Sequence, residues 1–148
     1  MDEDGTVLHQ EEIKTVSKTD PMRMIEISNA IRPKLEHDDK VLIEGFSYGS
    51  KGKGVSTQYG IGWILRIDLF EMGIGYAEIP PTTLKKFATG KGNVKKEDMI
   101  LPIYKRYGFE NDSDNIRDAY ILAQIGRALD GLGEPTKAQM DCIKGLGK

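Results

Sequence analysis

Apolar positions along the 148-residue chain fall into short runs whose spacing alternates between strand and helix. Val41-Leu42-Ile43-Glu44-Gly45-Phe46 is the clearest strand, with a continuous apolar start suited to a buried place in a mixed or parallel sheet. Tyr76-Ala77-Glu78-Ile79 is a second, shorter strand. Thr6 to Ile13 reads as strand material behind an Asp4-Gly5 turn signal. Asp20-Pro21 predicts a helix start, with Asp20 as N-cap and Pro21 at the first helical position. Met24, Ile27, Ile31 and Leu35 follow at helical spacing, and Pro33 kinks or ends that helix. A second helix is expected from about Ser56 to Met72, with Trp63, Ile64, Ile67 and Phe70 as core candidates, stopped by Gly73 to Gly75. Thr82 or Thr83 is the expected cap of a short helix through Phe87. Val94 to Tyr107 has a helical pattern disturbed at Pro102, and a last helix runs from about Asp114 to Leu129 and stops at Gly131. The residues after Gly133 are rich in Gly and Lys and read as a loose tail.

This alternation defines an α/β domain over residues 1–133, with residues 134–148 as the tail. The hairpin-like start adds antiparallel strands, so the expected sheet is mixed and flanked by helices. With 39% hydrophobic and 30% charged residues, the composition suits a globular chain with a core. No apolar run approaches the roughly 20 residues of a membrane span, and the N-terminus lacks the pattern of a signal peptide. A single cysteine, Cys142, excludes an internal disulfide, and the isolated His9 and His37 argue against a zinc site. The default compartment is the cytoplasm.

Charge changes the picture. The net charge is only −2, yet residues 81–106 carry seven bases against two acids, while residues 1–20 carry six acids against two bases. A local basic block in a mildly acidic chain suggests an anionic partner for one surface, the plain alternative being a solvated lysine face. The 17 glycines make several Gly-x-Gly triplets, but none continues into the dinucleotide fingerprint or a P-loop.

Glu44 is the most informative residue. It follows three apolar residues near the C-terminal end of a strand, where α/β sheets place their sites and where a carboxylate needs a cation, a metal or a hydrogen-bond donor. Asp114 and Asp118 are four residues apart and share one face at the start of the last helix; N-capping is the ordinary alternative for either. Carboxylates from a strand end and a helix start suit Mg²⁺ or Mn²⁺, and such ions activate water against a phosphodiester. The lysines supply the complement, since they neutralise phosphates without reading sequence. Lys51 and Lys53 sit in a glycine-rich loop after Glu44, and Phe46 or Tyr48 is placed to stack on an exposed base unless it belongs to the core.

Three stretches together resemble the RuvC-type Holliday-junction resolvases of the RNase H-like superfamily. They are Val41 to Phe46, Leu84-Lys85-Lys86 through Gly90-Lys91-Gly92 to Lys95-Lys96, and Asp114-Asn115-Ile116-Arg117-Asp118-Ala119-Tyr120. The resemblance covers roughly residues 5–130. It implies an RNase H-like fold and a structure-selective endonuclease, usually a homodimer, that nicks opposing strands of branched DNA with two divalent metals and leaves 5′-phosphate and 3′-hydroxyl ends. It implies Glu44, Asp114 and Asp118 as metal ligands, with Asp114 standing in where the bacterial pattern has an acid and this chain has Asn115. Lys96 would sit near the scissile phosphate, and Lys51, Lys53, Lys85, Lys86, Lys91 and Lys95 would contact the backbone. The family's first carboxylate, on an opening strand, has no counterpart, since Asp2 and Asp4 fall at the following turn. The expectation is therefore a domain whose N-terminal strand is missing or truncated, active or inactive as it stands. The alternative is a non-catalytic nucleic-acid-binding protein of the same fold; an enzyme acting on RNA–DNA hybrids is a third reading.

Overall fold

The computed structural model describes residues 1–49, 51–52 and 54–146. Helices α1 (Met22–Ile31), α2 (Val55–Glu71), α3 (Pro81–Thr89), α4 (Ile100–Tyr107), α5 (Asp114–Leu129) and α6 (Lys137–Ile143) accompany strands β1 (Val41–Glu44) and β2 (Tyr76–Ile79). The two strands pair as a two-stranded parallel sheet, and α2 lies in the long crossover that a parallel pair needs. The α/β expectation holds. The expected antiparallel strands do not form, because Thr6 to Ile13 is not a strand and the sheet of the described residues is not mixed. The start of the chain closes on itself instead: the Thr6 N–H donates to Asp2 Oδ1 at 2.8 Å, and the Asp2 N–H donates to the Thr6 carbonyl at 3.0 Å.

Where the pattern suggested one domain, the chain divides into two compact units. The first comprises Met1–Glu12, Leu42–Gly45 and Ala77–Lys148, and the second Ile13–Val41 and Phe46–Tyr76.

The first unit has a core of Ile79, Leu84, Phe87, Met99, Ile103, Ile121, Ile125 and Ile143. Each such side chain contributes about 1.5–3 kcal/mol when removed from water. α5 lies close to β1, since a methyl group on Gly126 would meet Leu42 Cδ1 at 2.8 Å. α3 begins at Pro81 with Pro80 as its N-cap, so neither Thr82 nor Thr83 caps it. Proline suits this position because its missing N–H has no intrahelical partner there. Pro102 falls in the first turn of α4 and leaves that helix intact for the same reason. The expected loose tail is corrected by α6. Thr136 and Gln139 form a reciprocal capping box, and Gln139 and Ile143 are buried. The Gln139 carboxamide donates to the Phe87 carbonyl at 3.0 Å and the Tyr107 hydroxyl at 2.9 Å, tying α6 to α3 and α4.

In the second unit α1 packs on α2. α1 starts one residue later than expected, with Pro21 rather than Asp20 as N-cap. The Asp20 carboxylate accepts from Arg23 at 2.8 Å and from the Thr57 hydroxyl, which draws it away from the helix end. Arg32–Lys34, a 3-10 turn containing Pro33, ends α1. α2 has the expected extent but a different buried face. Trp63, Ile67 and Phe70 are exposed, Phe70 by 85%, whereas Arg66, Asp68 and Leu69 are buried. The polar residues go inward because they find partners: the Ser28 hydroxyl donates to Asp68 Oδ2 at 2.6 Å, and Arg32 donates to Asp68 Oδ1 at 2.7 Å and Glu71 Oε2 at 3.0 Å. Arg66 lies over the Phe46 ring at 4.2 Å, in room left by Gly62, where a methyl group would come within 2.4 Å of that ring.

Candidate functional site

The site lies in the first unit, where β1 ends and α5 begins. Glu44 is the last residue of β1. The Gly45 N–H donates to the Ile79 carbonyl at 2.8 Å, carrying the strand pairing one step past Glu44 and fixing where its side chain emerges. Ser113 caps α5, its hydroxyl accepting from the Ile116 N–H at 3.3 Å, so neither Asp114 nor Asp118 is spent as the cap. One helical turn apart, both aspartates face the same way. Lys96, at the start of the 3-10 turn Glu97–Met99, donates its ammonium to Asp114 Oδ2 and stands 3.6 Å from Asp118 Oδ2.

The electrostatics tie these residues to Glu44. Burial, reinforced by the negative charge of Asp118, raises the Glu44 carboxyl above the usual carboxylate range, while Lys96 and Lys85 act against that rise. The Glu44 residue is nonetheless exposed to solvent at the end of β1. Asp118 is raised chiefly by burial, only partly offset by Lys96. Asp114 is lowered, chiefly by the hydrogen bond from Lys96. Burial presses the Lys96 ammonium down, but that hydrogen bond and the charges of Asp118, Asp114 and Glu44 outweigh it and hold the ammonium protonated.

Lys96 thus links Asp114 and Asp118, while Glu44 is coupled to Asp118, Lys96 and Lys85 through their charges alone. Lys91 and Lys95 are exposed, and the hydrogen bonds they make to Thr89 and Asp98 run through their backbone N–H and carbonyl groups. Lys86 turns elsewhere, into a hollow between α3 and α6. Lys51 is exposed in the second unit, and Lys53 lies outside the described residues. Of the two stacking candidates, Phe46 is half-buried among Tyr59 and Trp63, whereas Tyr48 is 84% exposed. Two residues that support the site were not anticipated. Arg117 is buried and donates to the carbonyls of Asn111 and Asp112 at 2.7 and 3.0 Å, bracing the loop before α5. A cation near a helix N-terminus opposes the helix dipole and is the signal that would have marked it. Glu12 accepts from the Asn115 carboxamide at 2.7 Å, and nothing in its sequence context foretells this.

The donor chemistry, hard carboxylate oxygens, fits a divalent ion such as Mg²⁺. In the present arrangement the cation among them is Lys96, and among the described residues no three Asp, Glu, His or Cys side chains are gathered closely enough to share a metal.

The small parallel sheet with its helices is an α/β arrangement, and comparison with solved structures gives it an RNase H-like fold. Within that class its fold is that of RuvC. A structure of Thermus thermophilus RuvC matches with a TM-score of 0.61 at 24% identity, over 87% of this chain and 82% of that one. A structure of T. thermophilus RuvC in complex with Holliday junction substrate matches with the same TM-score and coverage at 25% identity. No protein-family model matches the chain, and no curated protein does. No helix among the described residues is long and apolar enough to cross a membrane.

Proposed function

We propose that this protein is a structure-selective DNA endonuclease that resolves four-way junctions as a homodimer. What supports this reading is a RuvC-like fold in which Lys96 bonds Asp114 and stands beside Asp118 at the start of α5, with Glu44 at the end of β1 near enough to feel both Asp118 and Lys96. Glu44, Asp114 and Asp118 are the residues that would hold Mg²⁺ or Mn²⁺. A bound ion would make water more acidic as a nucleophile and would neutralise charge on the leaving oxygen. The protein's own residues do the rest. Lys96, kept protonated by its carboxylate neighbours, offers a cation to the scissile phosphate, and Lys85 adds positive potential beside Glu44. Exposed Lys91, Lys95 and Lys51 track the backbone without reading sequence, and Tyr48 offers a face to an unpaired base. The exposed stripe of Trp63, Ile67 and Phe70 on α2 supports pairing with a second copy.

A second reading, a junction-binding protein that does not cut, is favoured by one observation: Lys96 already neutralises Asp114 and stands beside Asp118. Incubating the chain with a labelled four-way junction and with a linear duplex, with and without Mg²⁺ or Mn²⁺, separates the two. Metal-dependent nicking of the junction, lost in Asp118→Asn, is the expected result. Metal-independent junction binding without nicking selects the second reading, and equal binding to junction and duplex sinks both.

A further inference from the structure

The far end of α5 carries a second charged feature. A hollow of about 250 Å³ opens over Phe87 and Ala128, flanked by the guanidiniums of Arg106 and Arg127, with Tyr107 and Gln124 beside them. Nine residues separate Asp118 from Arg127, which puts the hollow about 14 Å along the helix and on its opposite side, away from the carboxylates.

Arg127 is held in place with unusual thoroughness. Its Nε and Nη2 donate to the Glu3 carbonyl at 3.2 and 2.9 Å, and its Nη1 donates to Gln124 Oε1 at 2.9 Å. Gly5 and Gly133 press on it from two sides: a methyl group on Gly5 would come within 2.7 Å of Nη1, and one on Gly133 within 3.4 Å. Both glycines have positive φ, so a side chain at either would be strained, and at Gly5 it would also displace the guanidinium. A guanidinium has five N–H donors, so three are spent and two remain. Arg106 is exposed, lies over the Tyr107 ring at 5.7 Å and donates to the Glu134 carbonyl. Both arginines thus spend these donors on neutral oxygens rather than on a carboxylate. A neighbouring hollow of about 180 Å³ shares Phe87 and Arg106 and adds Lys86.

Guanidiniums fixed at the wall of a concave surface, with donors to spare and an apolar floor, match an oxyanion with several acceptor oxygens. The geometry points to a phosphate-binding site between Arg106 and Arg127, separate from the carboxylate site and independent of any cutting activity. The phosphate comes either from a small nucleotide or from the backbone of a DNA arm. Exposed Glu134 on the rim sets a limit, since its carboxylate weakens the attraction.

The probe is inorganic phosphate, titrated into the full chain while the arginine Nε–Hε resonances are followed by NMR. Saturable shifts at Arg106 and Arg127 are expected. Arg106→Gln, which removes one charged donor set from an exposed side chain, should weaken binding about tenfold. Arg127→Lys, which keeps the charge but loses the fork, should weaken it by a similar factor, and Glu134→Gln should tighten it. A 5′-mononucleotide and a blunt DNA duplex are then offered as competitors. Displacement by the duplex assigns the site to backbone phosphate, and displacement by the mononucleotide alone assigns it to a free nucleotide. Shifts that never saturate, shifts unchanged in Arg106→Gln, or phosphate displaced by neither competitor overturn the proposal. None of these readouts involves cleavage or junction binding, so the result stands apart from the fate of the nuclease reading.

Discussion

One buried and one half-buried aspartate, on two helices, show what burial does and does not signify. Asp68, in the second unit, has a side chain only 7% exposed; it accepts from the Ser28 hydroxyl at 2.6 Å and Arg32 at 2.7 Å. Asp118, in the first unit, is 16% exposed, but its cation, Lys96, stands off at 3.6 Å, beyond a good hydrogen bond. Asp68 has traded water for partners and serves the packing of α1 on α2. Asp118 has given up water for less and retains acceptor capacity that a ligand can use, which its raised carboxyl reflects. Unspent capacity, more than burial, separates a site from a strut.

Substitutions can break or sharpen that contrast. Asp118→Asn should reduce junction nicking by at least about 10²–10³-fold while leaving the melting temperature unchanged or raised. A fall in both together would make Asp118 a strut as well. Asp68→Ala should do the reverse: a loss of about 2–3 kcal/mol in urea unfolding, below the range for a fully buried pair because Arg32 is partly exposed. Nicking per folded molecule should be unaffected. Ser113→Ala should cost about 1 kcal/mol through the lost cap and cut nicking modestly, since the cap orients the turn that carries Asp114 and Asp118. The smallest effect is in pH. A carboxyl raised in the folded state contributes stability that is present below its unfolded pKa and is lost as pH rises through its folded pKa. In metal-free buffer the stability advantage of Asp118→Asn over the parent should therefore be present at neutral pH and disappear in acid. An advantage that persists unchanged in acid would contradict the raised carboxyl.

The elements that position the carboxylates were legible because each rests on local pattern. The apolar run before Glu44 makes β1, and Ser113 followed by periodic apolar residues makes α5. What was not legible depends on distant partners. Arg66 and Asp68 look like surface residues until Phe46, Ser28 and Arg32 are brought to them, and their burial is what turns Trp63, Ile67 and Phe70 outward. α6 was hidden by its glycine- and lysine-rich surroundings, although Thr136 and Gln139 stand at capping-box spacing. The Thr6 to Ile13 segment has strand composition but no neighbouring strand, and composition alone does not build a ladder.

The first unit is threaded from three separated stretches, and Arg127 reaches back to the Glu3 carbonyl across 124 positions of chain. The second unit draws on two stretches that nearly adjoin. Closing long loops costs entropy before any contact repays it, and chains rich in distant contacts fold slowly. On this ground the helix pair α1–α2, built from near neighbours, is expected to assemble at lower entropic cost than the carboxylates and the arginine hollow. A kinetic experiment would test this by asking whether helix appears before either binding surface exists.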